Sequence, residues 1–181
     1  MVMPAMDINV ESNAPDAEPS VLIMGMGVTG ASCARFFSAR GVCAEFVDTR
    51  QAPPGTDAIL DAMPDARLHR GGEMPVLRST IRKIVVSPGF DMQSPLISAG
   101  RKRGIEIVSD IDLFVSECAT PVIAITGSNG KSTVTSMLGV MLSTAGWTPG
   151  VGGNLGTPAL DLLQPDRDVY VLELSSFQLE R

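Results

Sequence analysis

The run Thr126-Gly-Ser-Asn-Gly-Lys-Ser-Thr133, set between an apolar stretch and a helical pattern, narrows the possible folds of this chain more than any other segment. Pro121 to Ile125 reads as a buried strand. After the turn, Val134, Met137, Leu138, Met141 and Leu142 recur at helical spacing, so a helix with one apolar face follows. A glycine-rich loop between a strand and a helix N-terminus is a phosphate cradle, because unpaired N–H groups and the positive dipole end face the anion. Gly127 and Gly130 let the backbone approach closely, Lys131 reaches the terminal phosphates, and Ser132 is a candidate Mg²⁺ ligand. The general pattern G-x-x-x-x-G-K-[ST] would need glycine where Ile125 stands. Taken alone, the loop therefore also admits a plain strand-to-helix turn that carries a lysine.

A second glycine loop, Gly25-Met-Gly27-Val-Thr-Gly30, follows a strand, opens a helix, and precedes Asp48 by eighteen residues counted from Gly30. The spacing G-x-G-x-x-G with a downstream acid reports a phosphate-binding turn, but not which nucleotide carries the phosphates. An NAD(P)-dependent oxidoreductase or dinucleotide-sensing module using Gly25, Gly27, Gly30 and Asp48 is one reading. Thr29 and the triple Asp48-Thr49-Arg50 suit a nucleotide diphosphate equally well. Ser87-Pro-Gly89 ends another strand and belongs at the same edge, either as a ligand loop or as a simple turn.

Strand patterns at Val21 to Gly25, Ala44 to Asp48, Lys83 to Ser87, Ile105 to Val108, Val122 to Thr126 and Val169 to Leu174, with a weaker one at Arg67 to His69, alternate with helical ones. The helical patterns fall at Gly30 to Arg40, Thr56 to Met63, Ser94 to Gly104, Ile111 to Cys118, Lys131 to Ala145 and Pro158 to Leu163, while Gly150 to Gly153 reads as a turn. The expectation is α/β: a Rossmann-like parallel-sheet domain over 20–118, then the start of a P-loop ATPase-type domain over 119–181 that stops short of a full sheet. Residues 1–19, rich in Asp, Glu, Pro, Ala and Asn, read as a disordered leader without the basic start and apolar centre of a secretory signal.

Composition closes off other classes. A net charge of −6 with one short basic cluster, Arg101-Lys102-Arg103, argues against nucleic-acid binding. No run approaches the ~20 apolar residues of a membrane-spanning helix. Cys33, Cys43 and Cys118 are odd in number and lack metal or disulfide spacing, which points to small core residues of a cytoplasmic protein. His69, the single histidine, reads as a surface residue at a strand end.

In the second half, the apolar run Val169-Tyr-Val-Leu-Glu173 delivers a carboxylate near its end. A buried glutamate is costly unless paired or on a metal, so Glu173 is read as a Mg²⁺ ligand, with pairing to a nearby cation or helix end as the alternative. Asn154, after Gly152-Gly153, is placed to cap a helix or contact a ligand. Ser175, Ser176 and Gln178 are placed to cap the next helix or reach substrate.

Together, Thr126 to Thr133, Leu172-Glu-Leu-Ser-Ser-Phe-Gln-Leu-Glu180, Val151-Gly-Gly-Asn-Leu-Gly156, Gly25 to Gly30, Asp48-Thr-Arg50 and Ser87-Pro-Gly89 resemble the Mur ligases over residues 20–181. Sibling ligases and folylpolyglutamate synthases share the phosphate loop but differ in the other stretches. The resemblance implies an ATP-dependent amide ligase of peptidoglycan precursor synthesis that adds D-glutamate to UDP-N-acetylmuramoyl-L-alanine through an acyl phosphate. It implies that Val28, Thr29, Asp48, Thr49, Arg50 and Gly89 hold the uridine diphosphate of the substrate. Asn154, Ser175 and Gln178 would hold the part nearer the reacting carboxylate. Gly127, Ser128, Asn129, Gly130, Lys131, Ser132 and Thr133 would hold ATP, with Lys131 catalytic and Ser132 and Glu173 on Mg²⁺. The family's second metal site and amino-acid-binding domain have no match in this sequence, so the chain is expected to be an inactive, monomeric fragment. A P-loop switch or kinase remains a third reading, and it leaves the first glycine loop without a purpose.

Overall fold

The computed structural model describes residues 18–154 and 156–179. Most of the segment read as a leader lies outside them. Glu18 and Pro19 are inside and anchored: Glu18 ion-pairs with Arg67 and Arg78, and the Pro19 carbonyl accepts a hydrogen bond from Thr80.

The first half builds a five-stranded, wholly parallel sheet in the order β3-β2-β1-β4-β5. Its strands are β1 (Val21–Met24), β2 (Ala44–Val47), β3 (Arg67–His69), β4 (Lys83–Val86) and β5 (Glu106–Val108). Successive residues serve opposite faces, so Val21, Ile23, Phe46 and Val85 enter one core cluster, while Leu22, Met24, Val47, Ile84 and Val86 enter another. Covered on both faces, these strands read as continuous apolar runs. Helices α1 (Val28–Ser38), α2 (Thr56–Ala62) and α3 (Pro95–Lys102) make crossovers within the sheet, and α4 (Asp110–Glu117) leads on from β5 to the second half. The sheet order reverses at β1, which has β2 on one side and β4 on the other, and this creates the crevice where ligands collect in such sheets.

Two expectations change here. Helix α1 begins at Val28 rather than Gly30, which brings its first turn onto the glycine loop. His69 is not a plain surface residue. Glu45, on the second-cluster face of β2 and 2% exposed, needs partners, and it is met by His69 Nε2 and by the Arg78 guanidinium at 3.3 Å. These contacts tie down the helix-free connection from β3 to β4.

The second half forms a parallel three-stranded sheet, β6-β8-β7, from β6 (Val122–Ile125), β7 (Pro149–Gly153) and β8 (Val169–Glu173), with α5 (Lys131–Thr144) against it. A short 3₁₀ turn, Ala159–Leu162, stands where a helix was expected, and α6 (Ser176–Leu179) follows β8. Gly150 to Gly153 is a strand and not a turn. Its glycines obscure the strand pattern but are required by close approach: a Cβ on Gly150 would lie 2.5 Å from the Tyr170 ring, and one on Gly152 would lie 2.2 Å from the Thr157 carbonyl.

The expected burial around the phosphate loop is also corrected. Strand β6 is an edge among the described residues, with Val122 and Ile123 each more than a third exposed. Helix α5 turns Thr135 and Gly139 inward, with Gly139 against Val151, and leaves Val134, Met137, Val140 and Met141 exposed. The expected apolar face is therefore not the buried one: Val134, Met137 and Met141 of that face are exposed, and packing selects the stripe of Thr135 and Gly139 instead.

One core joins the two sheets. Tyr170, Leu172, Leu174, Ala159 and Leu160 share a cluster with Cys33, Phe36, Phe37, Leu113 and Phe114 of the first half. Phe114 and Tyr170 meet edge to face at 5.0 Å, and Arg35 forms a two-pronged ion pair with Asp161.

Candidate functional site

Parallel sheets present their loops at the strands' carboxyl ends, and the sequence-predicted residues gather at two such places. At the first sheet, backbone bonds knit the loops together: Gly25 N–H to Val47 O at 2.8 Å, Ser87 N–H to Met24 O at 2.9 Å, and Asp48 N–H to His69 O at 2.9 Å. Gly25 is in the left-handed region, φ +108°, and a Cβ there would strike the Ser87 side chain at 2.6 Å. A Cβ on Gly30 would lie 2.2 Å from the Gly25 carbonyl, so the turn closes only with glycine at both positions. Among the described residues no side chain caps α1, and exposed Val28, half-buried Thr29 and the Arg50 guanidinium lie at its start.

Asp48 is already committed. Its carboxylate, 3% exposed, accepts from Met26 N–H at 2.8 Å and Arg50 N–H at 2.9 Å, and from the Arg50 guanidinium at 2.9 and 2.6 Å. Burial raises its pKa, and the hydrogen bonds from the Arg50 side chain, the Arg50 N–H and the Met26 N–H together outweigh it, so the group is lowered to about 2. Thr49 and Gly89 are exposed at the same edge. Sequence reasoning missed Gly55: its N–H donates to Met26 O at 2.9 Å and a Cβ would strike Gly27 O at 2.5 Å, so this loop lies over the glycine turn. The signal was Pro53-Pro54-Gly55 directly after the Asp48 loop.

At the second sheet, Gly130 takes φ +75° at the N-cap of α5, again without a side-chain cap, and Gly127 takes φ +144°. Gly127, Ser128, Asn129 and Gly130 are exposed, as are Ser132 and Thr133. The Lys131 ammonium folds over the loop onto Gly127 O at 2.7 Å. Glu173, 3% exposed, accepts from Ser132 Oγ at 2.8 Å and Asn154 Nδ2 at 3.3 Å. Asn154 N–H also donates to Glu173 O at 2.8 Å. Gln178 and Ser175 are brought to each other: Gln178 Oε1 accepts from Ser175 N–H at 2.9 Å and from its hydroxyl at 3.1 Å, which caps α6.

Among the described residues, the buried Glu173 carboxylate accepts hydrogen bonds from a hydroxyl and an amide, neither of which carries a charge. Beside a helix N-terminus and a lysine, this hard-oxygen donor set fits Mg²⁺ held with a nucleotide phosphate.

Residues 19–109 match the Mur ligase MurD-like N-terminal domain, and residues 125–181 match the Mur ligase middle domain. The UDP-N-acetylmuramoylalanine--D-glutamate ligase of Photorhabdus laumondii is 51% identical over 160 residues, which is 88% of this chain and 36% of the relative. Its namesake in Escherichia coli O6:K15:H31 is 52% identical over 161 residues, 89% of this chain and 36% of the relative. The chain thus spans just over a third of the length of these relatives. The murein peptide ligase of Psychrobacter arcticus superposes with a TM-score of 0.56 at 20% identity, covering 87% of this chain and 38% of that one, a likeness of fold. With the MurD-like domain matching half of this chain and the middle-domain match beginning at the phosphate loop, the chain belongs to the Mur ligase family.

Proposed function

We propose that this chain carries the uridine-nucleotide site and the ATP site of a ligase that joins D-glutamate to UDP-N-acetylmuramoyl-L-alanine. The names of its relatives supply the substrates, and the residues supply the division of labour. The observation that carries the reading is the buried Glu173 carboxylate bonded to Ser132 at the mouth of a glycine loop.

In this reading, Gly127 to Thr133 wrap the ATP phosphates with backbone N–H groups, and Lys131 leaves the Gly127 carbonyl to bind the terminal phosphate. Ser132 and Glu173 hold Mg²⁺, which when bound offsets the repulsion between the substrate carboxylate and the nucleotide. The γ-phosphoryl group passes to the substrate carboxylate. The amine of D-glutamate then displaces phosphate to form the amide. At the first sheet, the α1 N-terminus, Thr29, Thr49 and Arg50 receive the uridine diphosphate, with Val28 and Gly89 lining it. The commitment of both Asp48 oxygens to Arg50 and Met26 weighs against the NAD reading, in which that carboxylate must accept a ribose hydroxyl. With substrates of this kind, the ligase would work in the cytoplasm. Among the described residues, no helix is long and apolar enough to cross a membrane.

Calorimetry on the chain tests the proposal. UDP-sugar and ATP with Mg²⁺ are expected to bind and NADH not to, and Lys131→Ala is expected to weaken ATP at least about 10-fold, the loss of one charged phosphate contact. NADH binding in preference to the uridine nucleotide would overturn it. ADP release dependent on D-glutamate is expected to be absent from these 181 residues alone.

A further inference from the structure

We propose that Asn154 is a positioning residue for the Glu173 carboxylate, which it holds in place for the metal from the end of the neighbouring strand. The inference rests on the reading of Glu173 as a Mg²⁺ ligand. Two bonds join the same pair of residues: Asn154 N–H to Glu173 O at 2.8 Å and Asn154 Nδ2 to Glu173 Oε1 at 3.3 Å. The backbone is shaped for the contact. Gly153 adopts φ +100°, and a Cβ there would lie 2.5 Å from Glu173 O, so only glycine lets β7 come this close to the end of β8. The 2.8 Å bond from Gly153 N–H to Thr157 O fixes the turn from behind.

The two oxygens of Glu173 are thus divided. Oε2 goes to Ser132 on the phosphate loop, and Oε1 goes to Asn154 just beyond β7. An amide suits this position because it orients the carboxylate without neutralising it. A lysine or arginine there would form an ion pair and compete with the cation. Partners that orient a metal ligand in this way tune metal affinity without touching the metal.

The test is the affinity of the chain for a fluorescent ADP analogue, measured with Mg²⁺ and with EDTA, the ratio reporting the metal's contribution. Glu173→Gln is expected to bring the ratio close to one. Asn154→Ala is expected to lower it about 10-fold while leaving the EDTA affinity unchanged. If Glu173→Gln leaves the ratio intact, or the wild-type ratio is already one, the metal reading falls. If Glu173→Gln collapses it and Asn154→Ala does not, the positioning role alone falls. An equal loss with Mg²⁺ and with EDTA would make Asn154 a nucleotide contact and overturn the proposal. The isosteric Asn154→Asp guards against a folding artefact, since it sets a second carboxylate against Glu173. Its melting temperature is expected to drop in EDTA and recover with Mg²⁺ more than the wild type gains, and no such recovery would also overturn the proposal.

Discussion

Asp48 shows how a single residue differs from its motif. Spacing made it a ribose ligand or part of a diphosphate site, and in the fold its charge also joins the end of β2 to the glycine turn through Met26 and orders Arg50. Because its pKa is depressed in the folded state, the stability it contributes is present above the unfolded carboxyl value near 4 and is lost as pH falls towards about 2. Asp48→Asn is therefore expected to cost about 1–2 kcal/mol at pH 7 after allowing for screening of the half-exposed Arg50. In urea denaturation the gap to the wild type should close between pH 4 and pH 2; a gap independent of pH would show that the charge is not responsible. The glycines of both loops were legible because their spacing is imposed by local backbone geometry. Asn154 was seen as a cap or ligand contact, yet its bond to Glu173 spans nineteen residues and depends on strand pairing.

At the scale of elements, α4 is the case where local sequence and structure coincide. Ser109 accepts from Asp112 N–H at 3.1 Å while the Asp112 carboxylate accepts from Ser109 N–H at 2.7 Å, a reciprocal cap that also places acids at the positive end of the helix. Ser109→Ala is expected to cost about 1 kcal/mol by chemical denaturation, and a loss under 0.3 kcal/mol would show that the cap is dispensable. Strand β7 is the opposite case. Three glycines in five residues contradict strand propensity, and only the ring of Tyr170, the Thr157 carbonyl and the Glu173 peptide explain why each site excludes a side chain. Helix α5 was legible in its span and not in its orientation, because the inward stripe of Thr135 and Gly139 is chosen by how closely α5 approaches Val151.

For the whole molecule, the shared core implies that the two sheets unfold together. Tyr170 lies in the same cluster as Phe36, Phe37 and Phe114, and Arg35 with Asp161 reinforces the junction from the surface. Fluorescence of Trp147, the single tryptophan, reports on the turn between α5 and β7, while far-ultraviolet circular dichroism reports on both halves. Their transitions are expected to coincide, and Tyr170→Ala is expected to lower both by about 3–5 kcal/mol. Two separated transitions would mean that the sheets are energetically independent.

The amino-acid sequence by itself determined the α/β class, the two phosphate-type loops and the candidate ligands Lys131, Ser132 and Glu173, because glycine spacing and hydrophobic periodicity are local consequences of backbone sterics and burial. Tertiary structure alone decided which partners those residues meet. Asp48 turned inward, His69 joined a buried glutamate, β6 became an exposed edge among the described residues, and Asn154 came to Glu173. Each of these depends on the order in which distant strands lie side by side, and residues far apart in a chain meet only when the sheet is assembled.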